Sequence, residues 1–111
     1  MTLHLPGVTA PVELTVRATR RADAIHLAPV GDLDAATAHV FEAAVAPLAG
    51  PVVVDLSGVA FLSCAGVRAL LDAHQRNPQL TVVVGPAHAV RRCLSVTGAD
   101  EILGVREAVA A

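Results

Sequence analysis

Short β-branched runs interleaved with amphipathic helical patterns predict an α/β domain. The expected architecture is a mixed, mainly parallel sheet of four to five strands, opened by an N-terminal β-hairpin, with helices packed on it. Three observations predict this. Val52-Val53-Val54 and Leu80–Val84 are unbroken apolar runs, the pattern of strands buried on both faces of a parallel sheet. Apolar residues at helical spacing separate and follow them. Ahead of them lie two strand-like segments joined by a few residues, which suits a hairpin rather than a crossover.

Residues 1–11 contain Pro6, Gly7 and Pro11 without periodicity. They are expected to be an irregular lead-in to a single domain spanning 12–111. Val12, Leu14, Val16 and Ala18 alternate with Glu13, Thr15, Arg17 and Thr19, as a half-buried strand does. Arg20–Asp23 is expected to turn the chain into a second strand, Ala24–Val30, with Ile25 and Leu27 on one face. Pro29 near its end suits an edge or a bulge better than a central position, because it lacks an N–H. Gly31-Asp32-Leu33-Asp34 breaks the strand, and the Asp34 carboxylate is placed to cap the next helix. Phe41, Val45 and Leu48 recur at i, i+4, i+7, an amphipathic helix closed by Pro47 and Gly50-Pro51. Val67, Leu70, Leu71 and His74 mark a second helix, closed by Asn77-Pro78. Gly85-Pro86 stops the Leu80–Val84 strand. Val90, Leu94 and Thr97, with Cys93 on the apolar side, give a third helix that Gly98 terminates. Ile102–Val105 is expected as a last short strand and Glu107–Ala111 as a stub of helix.

The 111 residues fit one domain. Hydrophobic residues make up 54% and charged residues 16%, which argues against disorder. Phe41 and Phe61 are the only aromatics, so the core must be aliphatic and bases have no stacking platform. The net charge is −2, and the eight basic residues are all arginines spread singly or in pairs. Nucleic-acid binding is therefore not expected. The absence of lysine excludes phosphate-loop and Schiff-base lysine chemistry. No apolar run approaches the roughly 18 residues of a membrane span. Met1–Gly7 lacks the basic-then-apolar order of a signal peptide. The protein is expected to be soluble and cytoplasmic, with no membrane association and with its two cysteines free.

Two loops stand at carboxyl ends of expected strands, where open α/β sheets place binding surfaces. They are Gly31-Asp32-Leu33-Asp34 and Phe61-Leu62-Ser63-Cys64-Ala65-Gly66. Each opens a helix and exposes backbone N–H groups at a positive helix end. Asp55-Leu56-Ser57-Gly58-Val59-Ala60-Phe61-Leu62-Ser63-Cys64-Ala65-Gly66-Val67 is similar to the hallmark of the STAS family, Asp-Leu-Ser-Gly-Val-x-Phe-φ-Asp-Ser-Ser-Gly-Leu. Gly31-Asp32-Leu33-Asp34-Ala35-Ala36-Thr37-Ala38 resembles a second element, Gly-Glu-Leu-Asp-x-x-Thr-Ala. Val90-Arg91-Arg92-Cys93-Leu94-Ser95-Val96-Thr97-Gly98 resembles a third, Val-x-Arg-x-Leu-x-x-Thr-Gly. The resemblance covers roughly residues 12–105, in order, and three motifs at consistent spacing make it specific.

The resemblance implies the STAS (anti-sigma factor antagonist-like) fold and a regulatory role. Such proteins bind an anti-sigma factor, usually a serine kinase of the histidine-kinase-like ATPase fold, and so release a sigma factor by partner switching. Phosphorylation of a serine at the start of the second helix breaks that binding, because phosphate brings about −1.5 to −2 charges into the docking surface. The implied partner interface comprises Asp32, Asp34, Thr37, Leu62, Ser63, Cys64, Ala65, Gly66, Val67 and Arg68. The position of the family's phosphorylated serine is Cys64, the preceding Asp is Ser63, and the following serine is Ala65. Ser63 and Cys64 are thus the switch position, with the usual acceptor missing. Family members usually close with a longer last helix. Ending at Ala111 is expected to bare apolar surface and to favour a homodimer.

Each of these residues also has a plain structural role. Ser63 is a good N-cap, Cys64 a small hydrophobe and Cys93 a core residue. Against these stand a phosphate on Ser63, a reactive Cys64 thiol at a helix N-terminus, and a Cys64–Cys93 redox pair, which requires Cα atoms within roughly 7 Å. His4, His26, His39, His74 and His88 show no ligand spacing, and no metal or cofactor is expected. Asp32 and Asp34 lack the partners of an acid/base pair. Gly58 and Gly66 are read as turn and close-packing residues. No nucleophile–base–orienter set is visible, so catalysis is not expected. The alternatives to an anti-sigma factor antagonist are a STAS subunit of a lipid-transport ATPase or stress-signalling complex, and a redox sensor built on Cys64.

Overall fold

The computed structural model describes residues 14–107. The expected lead-in over 1–11, the first two residues of the expected first strand and most of the expected C-terminal stub lie outside them. The hairpin forms from β1 (Thr15–Arg21) and β2 (Ala24–Leu33), paired antiparallel. Arg20 and Arg21 continue the strand, so only Ala22 and Asp23 turn. Ala22 has φ 55°, where its Cβ is crowded by its own backbone. Ala22→Gly is expected to stabilise the domain by about 0.5–1 kcal/mol, read as a raised urea midpoint at constant m.

The remaining elements are α1 (Ala38–Val45), β3 (Val52–Asp55), a 3-10 turn (Leu56–Gly58), β4 (Val59–Leu62), α2 (Cys64–Arg76), β5 (Leu80–Val84), α3 (His88–Val96), α4 (Ala99–Leu103) and β6 (Arg106–Glu107). Among the described residues the sheet has six strands, in the order β1-β2-β3-β5-β6, with β4 joined to β2. All pairings except β1–β2 are parallel. The mixed sheet and its hairpin match the expectation, while β4 is a strand where a loop was expected.

Strand β2 is internal and longer than its apolar pattern suggested, because two partners share one edge. Ile25, His26 and Leu27 pair with β3, and Gly31, Asp32 and Leu33 pair with β4. This places Pro29 inside the sheet rather than at an edge. The Ile25 N–H donates to the Pro51 carbonyl at 3.0 Å, so by alternation Pro29 turns its nitrogen to that same side. Pro29 therefore falls where the partner changes from β3 to β4, and no ladder bond is lost.

Leu27, Val54 and Val82 lie in register and are buried. The neighbouring row His26, Val53 and Thr81 runs from half-buried to exposed. Burial on both faces was expected for Val52–Val54, but the described helices form one layer. Helix α1 packs on α2, α2 on α3 and α4, and α3 on α4. Phe41, Leu56, Leu70, Leu94 and Leu103 fill the interior between that layer and the sheet.

The C-terminal part differs most from expectation. Ile102 and Leu103 belong to a helix, and the last strand starts at Arg106. Gly98 at φ 75° and Gly104 at φ 60° bracket α4. Left-handed backbone at both ends lets the chain leave α3, make one short helix and turn back to β5.

Candidate functional site: the β2–α1 and β4–α2 loops

The two motif-bearing loops meet. Phe61 and Leu62 pair in register with Asp32 and Leu33, and the Ser63 N–H donates to the Leu33 carbonyl at 3.1 Å. Gly66 makes this approach possible. A Cβ there would collide with the Leu33 carbonyl oxygen and lie 2.8 Å from Leu62 Cδ1. Gly58 is similarly close to β2, with an added Cβ 2.9 Å from Val30 Cγ2. Both glycines are thus close-packing residues.

The first loop is held by Asp34 and Thr37. Asp34 Oδ1 accepts from the Ala36 and Thr37 N–H groups at 2.9 and 3.2 Å. The Thr37 hydroxyl accepts from the Asp34 N–H at 3.0 Å and donates to the Asp32 carbonyl at 2.7 Å. This reciprocal pattern is that of a capping box. Asp34 therefore caps a leading turn, and the regular part of α1 starts four residues after it, at Ala38. Thr37 is 4% exposed and shapes the loop from beneath.

The second loop ends in the N-cap of α2. Ser63 has extended backbone, and its Oγ accepts from the Gly66 N–H at 3.2 Å. Ser63→Ala is expected to cost about 1 kcal/mol, seen as a lowered thermal midpoint. Cys64 is exposed at the first helical position, Arg68 is exposed one turn later, and Ser63 and Ala65 are half-buried. Leu62, Gly66 and Val67 are buried and support the surface. Asp32 and Asp34 are half-buried beside it.

Two surface residues escaped the sequence reading. Phe61 is 51% exposed and Val30, two residues before Asp32, is 52% exposed. Phe61 is one of only two aromatics in the chain, and that was the available signal. An apolar anchor of this kind next to half-buried polar groups is what protein interfaces use.

Cys93 is half-buried on α3, and both cysteines are free thiols. Burial pushes the Cys93 thiol above its ordinary value, and the charge of a Cys64 thiolate adds to the rise. A raised value keeps Cys93 protonated at neutral pH, and the protonated form is the unreactive one. Iodoacetamide at neutral pH is therefore expected to alkylate Cys64 well before Cys93, as timed by peptide mass spectrometry. Among the described residues no three His, Cys, Asp or Glu side chains are grouped to hold a metal ion, and no helix is long and apolar enough to cross a membrane.

Residues 14–105 match the family model described as Mlab, STAS domain. The chain belongs to the STAS domain family. This STAS domain is similar in structure to an anti-sigma factor antagonist from Mycobacterium paratuberculosis, with a TM-score of 0.80 and 25% identity over 92% of each chain. It also shares its fold with the protein TM1081, at a TM-score of 0.66 and 19% identity over 96% of this chain and 87% of that one. A third likeness is to the murine anion transporter Slc26a9, at a TM-score of 0.64 and 20% identity over 84% of this chain and 17% of that one. No curated protein matches the sequence.

Proposed function

We propose that this STAS domain is a cytoplasmic anti-sigma factor antagonist. It binds an anti-sigma factor, a serine kinase of the histidine-kinase-like ATPase fold, and so releases a sigma factor. The observation that supports this most is the seam between Leu33 and Ser63. That seam joins both family motif loops into one surface, with Cys64 exposed at the start of α2. The likeness to the M. paratuberculosis antagonist supports the same reading. Its chemistry is docking rather than catalysis.

Cys64 has no hydroxyl for a serine kinase to phosphorylate. Control by the amount of the protein follows, unless Ser63 accepts the phosphate in its place. The test is calorimetry with the candidate anti-sigma kinases of the source cell, followed by incubation with ATP and phosphosite mapping of wild type and Ser63→Ala. Binding without phosphate supports a phosphate-independent antagonist. Phosphate on Ser63 restores a switch. Failure to bind any such kinase overturns the reading and favours a STAS subunit of a lipid-transport or stress-signalling complex, reached through the same surface.

A redox reading rests on Cys64 being an exposed free thiol, with Cys93 the second thiol of the chain. Diamide would take two electrons and two protons from the two thiols as they form a disulfide. Peptide mapping that finds no Cys64–Cys93 link after diamide overturns it.

A further inference from the structure

A second site, lined by other residues than the docking loops, is an open cleft between α3 and β6. Its volume is about 690 Å³, within the range of small-molecule sites. His88, Arg91, Arg92 and Ser95 recur at i, i+3, i+4, i+7 and present one face of α3 to it. Arg106 and Glu107 of β6 line it from the other side, the buried Val84 and Leu94 back it, and half-buried Val105 supplies its accessible apolar surface. The cleft opens at the carboxyl end of β5, where open α/β sheets place ligands.

The charges are unevenly satisfied. Arg91 pairs with Glu107, and Asp100 Oδ1 accepts from the Glu101 N–H at 2.9 Å. Arg92 and Arg106 have no carboxylate within salt-bridge distance among the described residues. Two planar guanidinium groups on facing walls suit an oxyanion, which each can bind through parallel N–H donors. The Ser95 hydroxyl adds a neutral donor. The apolar residues between the walls would make no use of a bare inorganic ion.

We propose that this cleft binds a small organic oxyanion, a phosphate or carboxylate headgroup on a small apolar body, with Arg92 and Arg106 clamping the headgroup and Val105 covering the body. The site is independent of the partner reading above, and none of its residues belongs to the docking surface.

The test is an amide-resolved NMR titration of the whole chain with phenyl phosphate, benzoate and inorganic phosphate. Saturable shifts at Val84, Leu94 and Val105 are expected with phenyl phosphate, at an affinity about ten-fold above that for inorganic phosphate. A preference for benzoate over phenyl phosphate would assign a carboxylate headgroup, and the reverse a phosphate. The Arg92→Gln/Arg106→Gln double variant, with an otherwise unchanged spectrum, is expected to lose about ten-fold or more in affinity. Glu107→Gln, which releases Arg91, is expected to tighten binding. Linear, unsaturated shifts with both organic probes would overturn the proposal. So would an affinity unchanged in the double variant.

Discussion

Gly66→Ala is expected to destabilise the domain by about 2–4 kcal/mol. Helix propensity alone predicts the opposite sign, since alanine is better than glycine by about 1 kcal/mol in a helix interior. Packing decides the outcome. The new methyl would occupy the space of the Leu33 carbonyl oxygen, which is backbone and held by the Ser63 N–H at 3.1 Å. Making room requires either parting β2 from the start of α2 or moving Leu62, and both weaken the seam. Urea unfolding should show a lower midpoint with an unchanged slope, since the surface exposed on unfolding stays the same. A stabilised variant would mean that the two loops do not touch in solution.

Cys64→Asp is expected to leave stability within about 1 kcal/mol of wild type, or slightly above it, because a carboxylate at the first helical position faces the positive helix end. Its effect falls on binding. Under the proposed docking mode, one negative charge would be desolvated at the centre of the interface without a partner. A loss of about 100-fold or more in affinity for the anti-sigma factor is expected, roughly 3 kcal/mol, measured by calorimetry. Cys64→Ser makes the complementary case. It changes one atom, so binding should stay within a few-fold of wild type. It also places a hydroxyl at the proposed switch position. With the cognate kinase and ATP, this variant is expected to become phosphorylated and to dissociate. Wild-type affinity retained in Cys64→Asp would show that α2 does not start inside the interface.

Most of the secondary structure was legible because it follows from period and punctuation. The Phe41 and Val45 spacing, the Val52–Val54 run and the Gly98 stop each reflect a local preference, whereas α1 ends at Val45 and leaves Leu48 beyond it. Strand β4 was not legible for a physical reason. It is four residues long, both Ala60 and Phe61 are exposed, and among the described residues its partner is the far end of β2. Nothing within Val59–Leu62 announces that edge. Helix α4 was missed because Ile102 and Leu103 are compatible with either state, and the two flanking left-handed glycines decided it. The single helical layer, which leaves Val53 half-buried, is likewise a matter of how helices meet one another.

The candidate site divides in the same way. By itself the sequence determined that Ser63 caps α2 and that a cysteine follows it at the first helical position. These depend on residue identity and on hydrogen bonds within a few positions of the chain. Only the tertiary structure decided which of those residues face outward. It buried Thr37, Leu62, Gly66 and Val67, exposed Phe61, Val30 and Cys64, and brought Arg92 and Arg106 to one cleft. The reason is that exposure is set by what packs against a residue from distant parts of the chain, and the register of β4 on β2 is such a long-range contact.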